Sequence, residues 1–215
     1  AGPEIGVAST KAFLTQVVGL QILSMALAKA RNPAMTLAPL LQELRRVPLW
    51  IETVLKAEPQ IVEIAHTLTQ ARSMLYLGRQ YGFPVALEGA LKMKEISYIH
   101  AEGYAAGEMK HGPIALIDAE VPIVVIATES PVYEKVLSNI EEVRARDGRV
   151  IAIGTEGDTK LASLCAAVIS IPRVTPTLAP LLATLPLQLL AYHVADLRGT
   201  DIDQPRNLAK SVTVE

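Results

Sequence analysis

Four short apolar runs restrict the folds open to this chain more than any other feature. SMLYLG (73–78), PIVVIA (122–127), RVIAIG (149–154) and AVISI (167–171) are continuous rather than alternating, and the last three are rich in β-branched residues. A strand with one wet face alternates apolar and polar residues, whereas a strand covered on both faces does not. Helical stretches separate or follow these runs, at about Pro84–His100, Val132–Arg146 and Leu178–Arg198. Strands alternating with helices predict an α/β domain, a parallel sheet with helices on both faces. Ligands in such sheets usually bind beyond the carboxyl ends of the strands.

The first seventy residues carry no strand of this kind. AGPEIGVAST reads as a loop, with Ser9 or Thr10 placed to cap a helix from about Lys11 to Ala30 that Asn32-Pro33 ends. Shorter helices are predicted over Leu37–Arg46, Leu49–Lys56 and Pro59–Gln70, the last with proline in a first-turn position. Phe13–Ala28 is interrupted by Thr15, Gln16, Gly19, Gln21 and Ser24, short of the ~18 apolar residues of a membrane span. It is expected to be a buried helix. At the other end, TDIDQPRNLAKSVTVE has neither a helical nor a strand period. Ile202, Leu208 and Val212 alternate there with Asp203, Arg206, Asn207 and Lys210, so the tail is expected to pack down, with Lys210 either reaching a site or remaining at the surface.

Composition removes several classes of function. Half of the 215 residues are apolar and the formal net charge is −2, which leaves no basic footprint for nucleic acid or an anionic membrane. The lone Cys165, between Leu164 and Ala166, reads as a small core hydrophobe and fits a reducing, cytoplasmic setting. No G-x-G-x-x-G, no G-x-x-x-x-G-K-[ST] and no clustered Cys/His spacing occurs, so neither a cofactor nor a metal is expected. His66, His100 and His193 lie in helical contexts and read as structural or surface residues.

The helix PVALEGALKMKEISYIH concentrates the chemistry. Glu88, Lys92 and Glu95 stand at i, i+4 and i+7, on one face. Leu87, Ala90, Leu91 and Ile96 are expected to pack on the sheet from the opposite face. By spacing alone the charged face could be a solvated ion-paired surface. The strongly apolar remainder instead favours a cleft, in which a carboxylate and an ammonium suit a ketose–aldose isomerisation. The carboxylate moves a proton between adjacent carbons, and the cation steadies the oxygen that gains negative charge. The following segment, HAEGYAAGEMKHGPIALID, is dense in small and polar residues for a connection and reads as a site-lining loop, with a short helix after Gly112-Pro113. Within it His111 is of the residue type whose ordinary pKa suits proton transfer near neutrality.

EIGVASTKAF, ALEGALKMKEISYIHAEGYAAGEMKHGPIALID and PLQLLAYHVADLRGTDIDQPRNLAKSVTVE together resemble the carboxyl-terminal part of the glucosamine-6-phosphate synthase family. The likeness runs from residue 4 to Glu215 and is most specific in DQPRNLAKSVTVE, while about 149–180 is generic. It implies a sugar isomerase (SIS) fold, a flavodoxin-like three-layer sandwich with an N-terminal helical arm and an irregular C-terminal tail. Residues 1–32 would be the closing piece of a first SIS domain, 33–199 the second SIS domain, and 200–215 a tail over the active site. By this resemblance Glu95 matches the carboxylate that moves the proton between C1 and C2, and Lys92 the lysine that assists a hydroxyl proton. His111 matches a ring-opening histidine donated across a homodimer interface. Lys210 matches a tail lysine acting at the open-chain carbonyl, with Ala209 beside it. Val7 and Ser9 match substrate-contacting positions, and Glu88 and Glu4 are weaker candidates, either orienting the others or acting themselves. Pro3 stands where the family pattern has threonine.

The resemblance also implies that the glutaminase domain, and the phosphate-gripping serine/threonine loop of the first SIS domain, lie outside this sequence. The chain is therefore expected to be a fragment with little activity alone. Other readings are a sugar-phosphate sensor without catalysis, a related sugar-amine deglycase, and a dimerisation module on which the charged helix face is mere surface.

Overall fold

In the computed structural model, which describes residues 1–210, five parallel strands form one sheet in the order β2-β1-β3-β4-β5. The strands are β1 (Ser73–Gly78), β2 (His100–Ala105), β3 (Pro122–Ala127), β4 (Arg149–Thr155) and β5 (Ala167–Ile171). The helices are α1 (Lys11–Arg31), α2 (Ala38–Leu55), α3 (Glu58–His66), α4 (Gly82–Ser97), α5 (Tyr133–Arg144), α6 (Thr159–Leu164) and α7 (Ala179–Leu197). The doubly wound α/β expectation holds, and the order is the flavodoxin-like one.

The four apolar runs became β1, β3, β4 and β5. The three central strands β1, β3 and β4 are buried almost end to end. Their side chains feed two cores. On one face Tyr76, Val124, Ile126 and Ile151 pack with α2, α3, α4 and α7, while on the other Leu75, Leu77, Val125 and Ala152 pack with α5 and α6.

The structure corrects four expectations. His100–Ala105, read as part of a helix and a loop, is the edge strand β2, paired in register with β1 from Ser73↔His100 to Gly78↔Ala105. Its polar and small residues hide the strand pattern because an edge position tolerates them. Gly103 is needed there: a Cβ would lie 2.9 Å from the Leu87 backbone, where α4 crosses the strand. Second, the two helices expected on either side of Arg46–Leu49 are one, α2, running through Pro48 and held by buried Val47, Trp50 and Val54.

Third, α1 is not a buried helix. Only Met25 is buried, and Leu20, Leu23 and Leu27 are more than half exposed. The helix is apolar around its whole circumference, so contact with α7 along one side leaves the remaining apolar residues outside. By length and composition alone α1 is also long and apolar enough to cross a membrane. Fourth, α4 is turned relative to expectation. Ala90 and Ile96 are buried as expected, but Leu87 and Leu91 face outward, while Glu88 and Lys92 are buried with Ala86, Gly89 and Met93. Small side chains let α4 settle onto Tyr76 and onto Leu187 of α7, and this contact carries the charged pair inward.

Candidate functional site

The charged side chains of α4 form a compact cluster. Lys92 Nζ donates to the Glu95 carboxylate and lies 3.6 Å from Glu88 Oε1. The side chains of Lys92 and Glu88 are 4% and 9% exposed, which excludes the solvated-surface reading of this face. Glu88 Oε1 has no hydrogen-bond partner among the described residues. Desolvation pushes the Glu88 carboxyl above its ordinary pKa; the Lys92 ammonium opposes this and the Glu95 charge reinforces it. Two carboxylates therefore share one ammonium, and the more buried of them is the one biased toward its neutral form.

Two cavities adjoin this cluster. One, of about 340 Å³, is bounded by Lys92 and Ile96 of α4, Gln188 and Tyr192 of α7, Glu4 of the opening loop and Asp203 of the tail. The other, of about 320 Å³, is bounded by Leu91, Lys94, Glu95 and Tyr98 together with Arg206, Asn207 and Leu208. The Lys92–Glu95 pair links the two. Tyr98 ends α4 in the left-handed region at φ 62°.

The opening loop and the tail meet here, although of the apolar tail residues expected to pack down Ile202 is half-buried and Leu208 is exposed. Val7 N–H donates to the Asp203 carbonyl at 2.9 Å, and Lys210 Nζ donates to the Glu4 carbonyl at 2.9 Å. The Glu4 carboxylate accepts from the Ala12 and Thr10 N–H groups at the start of α1 and stands 3.8 Å from Lys210 Nζ. Its pKa is lowered, first by the Ala12 N–H bond and then by the Thr10 N–H bond and the Lys210 charge, against desolvation. Ser9 adds a further hydrogen bond in the same direction. Glu4, set aside as a minor candidate in the sequence, thus joins α1, the cavity wall and the tail lysine. Ala209 is exposed beside Lys210, and Val212 lies outside the described residues.

His111 is elsewhere. It ends a 3-10 turn, Ala106–His111, whose Met109 packs in the core on the α5 face and whose Lys110 pairs with Glu142 of α5 at 2.8 Å. The His111 side chain is 75% exposed and bounds neither cavity. Within one chain it does not join the cluster.

The crevice beyond the carboxyl ends of β1 and β3, where ligands were expected, is nearly closed. Between Arg79, Gln80, Thr128 and Glu129 only about 10 Å³ remains, roughly the room of one water. Farther along the same end of the sheet, beyond β3 and β5, a cavity of about 410 Å³ opens between Glu129, Ser130, Arg173 and Thr175. The two cavities beside the charged cluster lie in the helical layer, against the second half of α4. Sequence reasoning also passed over Gln188 and Tyr192, although two polar-tipped residues at i, i+4 in a helix as apolar as α7 are a legible signal. Among the described residues no group of three His, Cys, Asp or Glu could hold a metal ion.

Residues 67–197 match the model of the SIS domain family. The chain belongs to the SIS domain family. Among its relatives, glutamine–fructose-6-phosphate aminotransferase (isomerizing) of Chlorobaculum tepidum is 61% identical over the whole of this chain and 35% of the relative. A protein of the same name from Thermus thermophilus is 58% identical, over the whole chain and 36% of the relative. The SIS chain thus spans about a third of the length of the curated relatives it matches. A solved carboxyl-terminal domain of glucosamine-fructose-6-phosphate aminotransferase from Francisella tularensis superposes with a TM-score of 0.89 at 42% identity, covering 95% of this chain and 58% of that one. Glucosamine-6-phosphate deaminase of Thermotoga maritima, 24% identical with a TM-score of 0.67, shares the fold over 99% of this chain and 59% of its own.

Proposed function

We propose that this chain carries the ketose-to-aldose isomerisation of fructose-6-phosphate, within a protein that makes glucosamine-6-phosphate from that sugar and glutamine. The observation that carries the reading is the Lys92–Glu95 pair, held on a largely buried helix between two cavities whose rims are the opening loop and the tail. Extensive identity to enzymes named for this reaction supports it.

In this reading the Glu95 carboxylate takes the proton from C1 of the open-chain sugar and returns it to C2. Lys92 donates to the oxygen that becomes negative as the enediol forms, where a fixed cation in a desolvated site is most effective. Glu88, its pKa raised by desolvation, shares Lys92 with Glu95 and orients the ammonium from the buried side. Lys210 acts at the carbonyl, and Val7, Ser9 and Ala209 contact the substrate from the opening loop and the tail. His111 opens the sugar ring from a second copy of the chain, which would explain its exposed place on the far side of the sheet. Residues 1–32 serve as an arm, 33–199 as the SIS domain proper and 200–215 as a covering tail. The phosphate grip comes from a further SIS domain, in keeping with the closed crevice at β1 and β3. Cys165, its thiol pushed up to about 11 chiefly by desolvation, is inert here and suits a reducing cytoplasm.

The test is Glu95→Gln in a full-length enzyme carrying this chain. Turnover should fall by about 10²–10⁴, the usual contribution of a positioned general base, with folding intact. A folded variant with near-normal turnover would refute the reading, as a sugar-phosphate sensor or a dimerisation module requires.

A further inference from the structure

The tail is fastened at two separated points, and one involves a residue with no role so far. Arg206 lies with its guanidinium carbon 4.3 Å from the centre of the Tyr98 ring, and its backbone N–H donates to Tyr98 Oη at 2.8 Å. Tyr98 thus grips both the side chain and the main chain of one tail residue. Four residues on, Lys210 reaches the Glu4 carbonyl. Between these points the tail passes Glu95, since Asn207 and Leu208 bound the same cavity as Glu95 and Tyr98.

The conformation of Tyr98 makes this grip specific. A non-glycine residue at φ 62° is unfavourable by roughly 1 kcal/mol, and glycine or asparagine is the common choice at such a helix end. A tyrosine that keeps this backbone needs compensation. The cation–π contact and the hydrogen bond to Arg206 supply it, and they lie on the Glu95 side of the helix end.

We infer that Tyr98 is a positioning residue: by clasping Arg206 it fixes the tail so that Lys210 is held against Glu4, which bounds the cavity beside Lys92. The clasp itself is independent of the proposed function; only the description of Lys210 as the group delivered to a sugar carbonyl rests on that reading.

The experiment is residue-specific acylation of the 215-residue chain by an N-hydroxysuccinimide ester, followed by mass spectrometry. Lys29, hydrogen-bonded to Pro33 and Met35 carbonyls far from the tail, serves as the internal reference. Tyr98→Ala should raise the Lys210 rate about ten-fold, the loss expected from one cation–π contact and one hydrogen bond, with Lys29 unchanged. Tyr98→Phe, which keeps the ring but loses the acceptor, should fall between. If Tyr98→Ala does not fold, Arg206→Ala removes the stacked cation and should give part of the same rise. A folded Tyr98→Ala or Arg206→Ala chain with an unchanged Lys210 rate overturns the clasp. The two ideas separate in the full-length enzyme. Turnover that survives Lys210→Ala while the acylation result holds removes the catalytic role and leaves the clasp. Turnover abolished by Lys210→Ala, with the Lys210 acylation rate untouched by Tyr98→Ala, removes the clasp and leaves the role. With both correct, Tyr98→Ala lowers kcat about ten-fold and leaves KM within about two-fold, because a reacting group, not a binding contact, is displaced.

Discussion

Helices α1 and α4 are both largely apolar, yet they are treated in opposite ways. α4 buries a lysine and a glutamate while leaving Leu87 and Leu91 at the surface, whereas α1 exposes Leu20, Leu23 and Leu27 and buries Met25 alone. Hydrophobicity alone would have ranked the residues the other way. The difference lies in their neighbours. α4 is clamped between the sheet and α7 through close approaches such as Gly89, while α1 touches α7 along one side. A helix that spends its packing face on charged groups gives up stability there, and such a cost is characteristic of functional sites.

The largest effect should come from breaking the charged set. Lys92→Met leaves the Glu88 and Glu95 carboxylates facing each other without a cation, and loss of one partner of a buried pair costs about 3–5 kcal/mol. Urea unfolding of the chain measures this. The pH dependence sharpens it. The folded-state pKa of Glu88 is already above its unfolded value and rises further without Lys92, so its ionised form opposes folding. The deficit should therefore be greatest at neutral pH and shrink as pH falls through the carboxylate range.

Packing comes next. Gly89→Ala places a Cβ 2.7 Å from Leu187 Cδ1 and 3.0 Å from the Tyr76 ring, and should destabilise by about 1–3 kcal/mol in the same assay. Leu23→Gln on α1 should stay within about 0.5 kcal/mol, since the side chain is already exposed. Equal losses in the two helices would break the contrast between them.

The smallest effect concerns the junction of loop and tail. Glu4 has a lowered pKa in the folded chain, so its contribution is present above the ordinary carboxylate range and lost as pH falls through its folded value. Amide exchange at Thr10 and Ala12 should quicken, relative to the core strands, as the pH falls far enough to protonate Glu4. Unchanged relative protection would remove Glu4 from the junction.

Much of this was legible in the sequence, for reasons that differ by element. β1, β3 and β4 announced themselves because strands buried on both faces must be continuously apolar, and the edge strand β5 was legible from Val168, Ile169 and Ile171 although it is only partly buried. β2 did not, because an edge strand crossed by α4 needs Gly103 and accepts His100 and Glu102, which read as loop residues. The i, i+4, i+7 spacing on α4 located Glu88, Lys92 and Glu95, but their burial depends on the α4–α7 contact, which no local pattern encodes. The same holds for Lys210 and Glu4, brought together across 206 positions of chain, and for Tyr98 with Arg206. His111 was named from residue type and resemblance, and within a single chain it stands apart from the cluster.

The account turns on proton transfer by Glu95. A full-length enzyme carrying this chain, incubated in D₂O with fructose-6-phosphate, should exchange hydrogen at C1 of the sugar, and Glu95→Gln should suppress that exchange by at least about 10² while the folded variant still binds the sugar. Deuterium wash-in at an undiminished rate in Glu95→Gln would contradict it.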